Sequence, residues 1–521
     1  MLSLHPGRND GERRTGGLLA ALSLAVLAMA VQQTLVVPVL PALRQDFGTD
    51  LAGATWGVTA FLLAASVAAP LLAKLGDTWG RKRVALAALA VQALGGLLTA
   101  FAPSLGLFLA GRVLGGIGVA VFPLGIGLVR QHVAARKVPA GIGLLSAMTG
   151  AGAAVGMLVP GVVEAFAGGR AAVFGAGTVV VVAALGLIAL RVPRDEPSST
   201  SRQRLDYPGA GLLVAALVPL LVAMSQAPRW GWGSGAVVGL FALSAVAATA
   251  WFRWERRAAV PLVDLALIGR GSALAANLIA VLLGFGMFAF FTVVATYAAA
   301  PASGGYGIGA STLRVGMLLL PCGLAMIVLT PLAARLTLRI GAAATVALGS
   351  AVVGGAFGWL LLQPGTAPTL WIASVLFGLG LGIGYSALGT LAIQDVPKEH
   401  TSVVSGINGL MRTVGGSLSG AVTSLVLSTH LVSGTGQPSL SGYHVVFAIL
   451  GVSCLAAAAL AISRARTGRN GGRGRPAAEA VAQEAAAQEV AVQEVAEQQA
   501  GAREVAVSAA LASAPGRTPS S

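Results

Sequence analysis

The stretch PLLAKLGDTWGRKR (Pro70–Arg83) joins two long apolar runs through a short basic turn. A second stretch, PLAARLTLRIG (Pro331–Gly341), repeats its proline, leucine, alanine, basic residue, leucine and glycine at the same offsets. Both copies follow an apolar run of about 20 residues, which is the length of a membrane-spanning helix. The echo therefore predicts a chain built from two similar halves.

Composition places the whole chain in a bilayer. Its 521 residues are 56% hydrophobic and only 10% charged, with a mean hydropathy of +0.82. Soluble domains carry about 25% charged residues, so this chain cannot cover a water-soluble globule. About fourteen apolar segments are long enough to span the hydrocarbon core, from Leu18–Leu40 to Val445–Ile462. We therefore expect an all-α membrane protein with about 14 transmembrane helices.

The basic residues orient these segments. Of the lysines and arginines, 28 fall in loops and tails on one predicted side and 4 on the other. The positive-inside rule makes the basic side cytoplasmic, and an even number of spans puts both termini there. The net charge of +15 is thus explained without a nucleic-acid partner. The expected location is the plasma membrane, as a multi-pass protein surrounded by lipid.

The segments divide into five predicted regions. Two six-helix bundles in parallel pseudo-repeat flank a pair of extra central helices. The regions are a cytoplasmic tail (1–17), the first bundle (18–190), a linker with the extra helices (191–270), the second bundle (271–462), and a cytoplasmic tail that is disordered or partly helical (463–521). Parallel repeats are the plan of transporters that rock one half against the other around a midplane site.

Three motifs resemble the major facilitator superfamily, and specifically its fourteen-helix drug:proton antiporters. Residues 73–83 are similar to the family's loop motif, with Ala73 in place of its first glycine. Residues 107–118 resemble its arginine motif in the fourth helix, with Arg112 as the arginine. Around the extra helices, 205–209 and 230–232 resemble the antiporter subfamily, as do 396–399 and 412–416 later in the chain.

Two departures concern proton coupling. Such exporters commonly carry an Asp-x-Thr pair in the first helix, where this chain reads Gln32-Gln33-Thr34. The antiporter motif of the fifth helix is present from Gly152 to Gly161, but its proline, Pro160, is displaced. The resemblance to the fold stands, while the support for proton antiport becomes weaker.

The resemblance implies a secondary active exporter of small amphipathic organic compounds, drugs or natural products, working by alternating access and proton antiport. The missing first-helix acid leaves uptake or uniport of a small organic solute open. A membrane-embedded enzyme is a distant alternative, because no cluster of acids or histidines marks one membrane face. No cofactor and no metal are expected. The expected partners are a small-molecule substrate, the proton and lipid, and the protein is expected to be a monomer.

The loop motif predicts a gate. Asp77 stands beside a predicted helix N-terminus, where a carboxylate is stabilised by the helix dipole. Arg81 or Arg83 can pair with it to form a charge-assisted latch, with Gly80 at the turn. A topology signal without a gating role is the alternative interpretation.

Only two charged residues, Arg112 and Arg412, fall well inside predicted spans. Charge is costly there, so both are candidates for transport or coupling. Arg112 faces the central cavity or snorkels to the outer interface. Arg412, flanked by glycines, serves transport or binds neighbouring carbonyls. Glu164, at the outer end of the fifth helix, is by elimination the candidate proton carrier, with a plain solvated carboxylate as the alternative.

The remaining candidates are packing and cavity residues. Small residues four apart permit close contact between helices. The predicted packing positions are Gly116, Gly152, Gly156, Pro160, Gly416 and Gly420. A substrate cavity needs apolar and aromatic walls with a few polar groups. The predicted lining is Gln32, Gln33, Met148, Asn277, Phe288, Phe291 and Tyr297.

Overall fold

A computed structural model describes most of the chain. The described residues are 6–49, 51–166, 169–193, 206–258, 261, 265, 269, 271–302, 306–362, 365–397, 400–432 and 437–471. The chain divides into one unit of residues 1–464 and a second unit of residues 465–521. Most of the second unit, including the predicted tail from 472 onward, lies outside the described residues.

The described residues form sixteen α-helices. They are α1 (Pro6–Thr34), α2 (Leu40–Phe47), α3 (Leu51–Trp79), α4 (Arg81–Phe101), α5 (Leu105–Ile117), α6 (Val121–His132), α7 (Val138–Phe166), α8 (Arg170–Arg191), α9 (Tyr207–Trp230), α10 (Gly235–Glu255), α11 (Gly271–Ala299), α12 (Thr312–Ile340), α13 (Ala342–Leu362), α14 (Ala367–Ile393), α15 (Thr401–Thr429) and α16 (Leu440–Gly471). Helices α5 and α6 form one span, broken by a 3₁₀ turn at Gly118–Ala120.

These helices form fourteen spans that are long and apolar enough to cross a membrane, which confirms the predicted all-α membrane fold. Some predicted edges were wrong. The first span, expected at Leu18–Leu40, ends at Thr34, and the short helix α2 follows as a separate element. Helix α1 begins at Pro6, so part of the predicted N-terminal tail is helical, and α16 continues past Ile462 to Gly471.

The two halves echo each other in helix length. Helices α1, α3 and α7 each have 29 residues, as do α11, α12 and α15, which follow in the same order. Helices α4 and α13 both have 21 residues. The turns before α4 and α13 use Gly80 (φ 104°) and Gly341 (φ 87°), a backbone region that favours glycine. The repeated glycine of the two echoed stretches thus serves the same sharp turn twice.

The extra helices α9 and α10 form a hairpin that is closed by one carboxylate. Asp206 accepts a hydrogen bond from the Gly209 backbone N–H (2.9 Å) and caps α9. It also accepts one from the Trp254 indole N–H (3.0 Å) near the end of α10. On its other side α9 packs against α15, where Leu213 and Leu217 join a buried apolar cluster.

Two of the helix pairs at which the halves meet are α7–α12 and α3–α15. Helices α7 and α12 lie against each other over most of their length. A Cβ built at Gly161 would lie 3.2 Å from Leu313 Cα, and one built at Gly323 would lie 3.0 Å from Ala151 Cα. Helices α3 and α15 approach closely at Gly406, where a Cβ would lie 3.1 Å from the Ala69 carbonyl oxygen. These contacts bring the loop motif of the first half to the start of α15.

Candidate functional site

The loop motif forms an ion pair at the turn between α3 and α4. Asp77 lies in the last turn of α3 and Arg81 is the first residue of α4. Arg81 Nε donates to Asp77 Oδ1 at 2.9 Å, and both side chains are almost fully buried. Arg81 Nη1 also donates to the Gly127 carbonyl (3.1 Å) and to Gln131 Oε1 (3.2 Å) on α6. The pair is therefore fixed in place by the neighbouring span.

The second oxygen of Asp77 reaches the other half of the chain. Asp77 Oδ2 accepts a hydrogen bond from the backbone N–H of Val403 (3.2 Å) in the first turn of α15. A carboxylate at this position satisfies a helix N–H and is favoured by the helix dipole. Nearby, Arg130 Nη1 donates to Thr401 Oγ1 at 2.8 Å. We call Asp77, Arg81, Arg130, Thr401 and Val403 the latch.

The structure separates the two arginines that were candidates for the Asp77 pair. Arg81 makes the pair, whereas the Arg83 side chain is exposed. Lys82, between them, donates to the carbonyls of Ala189 (2.9 Å) and Val192 (2.6 Å) at the end of α8. Cations are favourable at a helix C-terminus, so Lys82 holds α4 against α8. Arg83 remains a basic surface residue next to the latch.

Arg112 is buried inside the first half and does not snorkel. Only 2% of the residue is exposed. Its Nε donates to the Gly57 carbonyl on α3 at 2.8 Å, and Nη1 donates to the Gln32 carbonyl on α1 at 2.9 Å. The guanidinium carbon lies 4.5 Å from the centre of the Phe61 ring. Arg112 therefore ties three helices together, while its Nη2 is buried without a hydrogen-bond partner among the described residues.

The two glutamines of the first helix have different surroundings. Gln32 is buried, and its amide nitrogen lies 3.4 Å from Thr178 Oγ1 on α8. Its backbone carbonyl accepts the hydrogen bond from Arg112 Nη1. Gln33 is half-buried and points about 100° away from Gln32 around the helix. Gln32 is thus a packing residue, and only Gln33 keeps the exposure that a cavity residue needs.

Arg412 lies at the boundary between the halves. Its guanidinium carbon is 5.0 Å from the centre of the Phe122 ring on α6 and 4.5 Å from that of Tyr385 on α14. The residue is half-buried, and no described residue forms a hydrogen bond or an ion pair with its side chain. The expected alternative, binding to neighbouring carbonyls, is therefore not observed in the described part of the chain.

Sequence reasoning missed both rings that flank Arg412. Phe122 follows the 3₁₀ break in the fourth span, and Tyr385 follows the glycine run 378–384. These glycines pack α14 closely against α12 and α13, for example Gly378 on Cys322 and Gly380 on Val353. The sequence signal that could have identified Tyr385 is a tyrosine placed directly after the spaced glycines of an apolar span. A tyrosine hydroxyl inside such a span usually has a polar partner, which marks the position as a candidate functional residue.

The other predicted cavity residues mostly pack against neighbouring helices. Asn277 Oδ1 accepts from Asn408 Nδ2 (3.2 Å), which joins α11 to α15. Phe291 packs edge to face on Phe290 and Phe377 in the core of the second half. Tyr297 belongs to a separate cluster with Tyr306 and Tyr443. Phe288 is half-buried against Gly416, and Met148 is 9% exposed on α7.

The predicted packing positions differ between the halves. A Cβ on Gly152 would lie 2.6 Å from the Leu27 carbonyl oxygen, and one on Gly156 would lie 2.7 Å from that of Val31. Gly116 is equally tight against α3, and Pro160 is a buried residue within α7. In the second half, Gly416 faces the Phe288 ring, but no described atom lies within 4 Å of a Cβ on Gly420. Close packing predicted at Gly420 is therefore absent among the described residues.

Glu164, the candidate proton carrier, lies two residues before the end of α7. Its side chain lies outside the described residues, so its role stays a prediction.

Comparison with known proteins agrees with this geometry. Residues 22–420 match the sequence profile of the Major Facilitator Superfamily. The chain is 29% identical over 420 residues to the tetracenomycin C resistance and export protein of Streptomyces glaucescens, covering 79% of this chain and 76% of the relative. It is 28% identical to the lincomycin resistance protein of Streptomyces lincolnensis, covering 84% of this chain and 90% of the relative.

A solved structure shows the same fold. The human organic anion transporter MFSD10 superposes with a TM-score of 0.61 at 18% identity, covering 86% of this chain and 99% of that one. A likeness at this identity supports the fold alone. The profile match spans most of the chain, from the first helix to α15. This chain therefore belongs to the Major Facilitator Superfamily, a family of multi-pass membrane transporters.

Proposed function

We propose that this chain exports small amphipathic organic compounds, drugs or natural products, across the plasma membrane by alternating access. The observation that carries the proposal is the latch. Asp77 binds Arg81 in its own half and the Val403 N–H in the other half. One carboxylate thus connects the two moving bodies at one membrane face, and that face opens only when the bond to α15 breaks.

The relatives support the direction of transport. One is named as a resistance and export protein and another as a resistance protein. We propose the same orientation for this chain, with both termini and the latch on the cytoplasmic face, since the basic residues concentrate there. In this arrangement a closed latch corresponds to a protein that is shut toward the cytoplasm.

We propose the bodies to be residues 18–190 and 271–462, with the α9–α10 hairpin of the 191–270 linker against α3 and α15. One chain supplies both bodies and both rings beside Arg412, so a monomer is the proposed working unit. The C-terminal tail, 463–521, is proposed to be dispensable for transport.

We further propose the proton as the coupling ion, with Glu164 as its carrier. A second candidate, uniport without protons, is favoured by one specific observation. None of the acidic residues lies in the middle of a span, and Asp77, Glu164 and Glu255 all lie within three residues of a helix end. Proton coupling needs a group whose protonation differs between the two conformations, and this chain offers few.

Everted vesicles test both proposals. Lincomycin, tetracenomycin C and a cationic dye are added outside, and an acid-inside pH gradient is imposed. An exporter accumulates at least one compound inside, and a proton antiporter loses that accumulation when a protonophore is added. Glu164→Gln should reduce gradient-driven accumulation while exchange of labelled for unlabelled substrate continues, with Glu255→Gln as the control.

Uptake that only equilibrates the compound across the membrane, and does not respond to the pH gradient, contradicts proton antiport and favours the uniporter. Absence of any protein-dependent uptake of every compound contradicts the export proposal itself. Gradient-driven transport that is normal in Glu164→Gln removes this residue from the coupling role.

A further inference from the structure

The interior of the membrane region carries an unbalanced positive charge. Within the spans, the only charged residues far from a helix end are Arg112 and Arg412. A carboxylate that balanced either charge would have to lie at the same depth in the membrane. The sequence has no acidic residue there. The two arginines therefore need some other stabilisation, and they find it differently.

Arg112 is held mainly by the protein backbone. Nε and Nη1 donate to backbone carbonyls, the Phe61 ring centre lies 4.5 Å from the guanidinium carbon, and only 2% of the residue is exposed, while Nη2 is buried without a hydrogen-bond partner among the described residues. A ligand that approaches from solvent or lipid therefore has little access to this guanidinium.

Arg412 has two aromatic rings beside its guanidinium and no hydrogen-bond partner among the described residues. The rings of Phe122 and Tyr385 lie within 5.0 Å of the guanidinium carbon, and cation–π attraction stabilises the charge there. The N–H donors of a guanidinium lie in its plane and form a fork that matches a carboxylate. No described residue accepts from these donors, and the side chain is half-exposed.

Arg412 lies at the depth in the membrane where a transported ligand would bind. It is the twelfth residue of α15, about 16 Å along the helix from Thr401 at about 1.5 Å per residue, which is close to the middle of a membrane of about 30 Å. Phe122 belongs to the first half, whereas Tyr385 and Arg412 belong to the second. Rocking of the halves would separate one ring from the other, so a ligand at Arg412 is exposed to whichever face opens.

We propose that Arg412 is the substrate-anchoring residue and that the transported compounds are aromatic organic anions. A carboxylate, enolate or phenolate of the substrate would pair with the guanidinium edge, and its aromatic body would lie beside Phe122 and Tyr385. This inference rests on the proposed transport function and specifies its substrate class. An inorganic anion would satisfy the same donors, but it would gain nothing from the two aromatic rings.

Ligand binding to the purified full-length protein in detergent tests the inference. The fluorescent probes are anthracene-9-carboxylate, its neutral methyl ester and the cationic 9-(aminomethyl)anthracene, with binding followed by fluorescence anisotropy. We expect the carboxylate to bind about tenfold more tightly than the ester or the amine, because hydrogen bonds between charged groups are the strong ones. Inorganic phosphate should not displace it.

Three variants locate the effect. Arg412→Gln should abolish the preference for the carboxylate, and Arg412→Lys should keep part of it because the charge remains. Arg339→Gln, an exposed arginine at the end of α12, should leave binding unchanged. Size-exclusion profiles and thermal unfolding establish that the variants are folded.

Equal binding of carboxylate and ester by the wild type, or a preference that survives in Arg412→Gln, would overturn the inference. Displacement by phosphate as strong as by free carboxylate would also overturn it, since the site would then be one for inorganic anions. The vesicle experiment separates this failure from a wider one. Wild-type accumulation of lincomycin or a cationic dye without any carboxylate preference leaves the export proposal standing, whereas no transport at all removes both.

Discussion

Helices α7 and α15 hold matching positions in the two halves and have the same length of 29 residues, yet their surroundings differ. In the most apolar stretch of α7, 78% of residues are buried, against 33% in α15. Helix α7 packs on α1 through Gly152 and Gly156 and on α12 through most of its length. Helix α15 also packs closely on α11 at Gly415 and on α3 at Gly406. The Asp77 carboxylate, however, binds its first turn, and Gly420 has no close neighbour among the described residues.

The difference indicates which contact can open. Close apolar packing between backbones is lost only when a whole helix moves away, whereas a carboxylate bond at a helix end can break by itself. The first half, with Arg112 bound to carbonyls, serves as a rigid frame. The second half presents Arg412 beside rings from both bodies and a latch that can be released. Three pairs of substitutions test this contrast.

The largest effect is expected for the two interior arginines. Arg112→Gln removes charge-assisted bonds to two buried carbonyls and should lower the free energy of unfolding by roughly 4 kcal/mol. Arg412→Gln loses only its contacts with two rings and should cost about 1 kcal/mol. Thermal and denaturant unfolding of both variants in detergent measures the difference. Equal losses would show that Arg412 is as firmly bound as Arg112 and would remove the contrast.

The next effect concerns the paired glycines. Gly156→Leu places a side chain against the Val31 carbonyl oxygen on α1 and should destabilise the protein by roughly 2–3 kcal/mol, because overpacking forces the helices apart. Gly420→Leu is the matched control and should change stability by less than about 0.5 kcal/mol, as expected for a site without such a feature. The expression level and the melting temperature of the two variants measure these effects. A Gly420→Leu variant as unstable as Gly156→Leu would mean that α15 is packed like α7.

The smallest effect is expected at the latch. Asp77→Asn keeps the shape of the side chain but weakens the bonds to Arg81 and to Val403 N–H by about 2 kcal/mol, which shifts the equilibrium toward the opened latch by roughly 30-fold. Spin labels at Arg83 and His400 should then report longer distances than in the wild type. The control is Asp46→Asn, whose ion pair with Arg170 (3.5 Å) lies elsewhere in the first half.

An unchanged distance distribution in Asp77→Asn would show that the latch does not hold the halves together. A change of similar size in Asp46→Asn would assign the effect to general loosening.

Much of the fold was predictable because membrane helices are encoded locally. Runs of about 20 apolar residues mark each span, and the repeated stretches at Pro70 and Pro331 mark the internal symmetry. Helix edges were less certain because the boundary between lipid and water leaves no sharp signal in an apolar sequence. The break after Thr34 and the start of α16 at Leu440 are examples.

The candidate site was only partly predictable. Asp77, Arg81 and the two interior arginines could be found from sequence, because a charge among apolar residues is conspicuous. Their partners could not, since Val403 lies 326 residues from Asp77, and Phe122 and Tyr385 come from opposite halves. Most of the predicted cavity residues are buried in helix packing, because residue type alone does not tell which face of a helix meets the other half.

The sequence by itself determined the lipid environment, the number of spans, the doubled architecture and the scarcity of buried charge, because these follow from hydrophobicity and from the cost of placing a charge in hydrocarbon. Only the tertiary structure decided that Arg112 is bound by carbonyls while Arg412 keeps its donors open, and that Asp77 reaches α15. Those distinctions depend on how helices from distant parts of the chain rotate and pack against one another, which no local pattern of residues specifies.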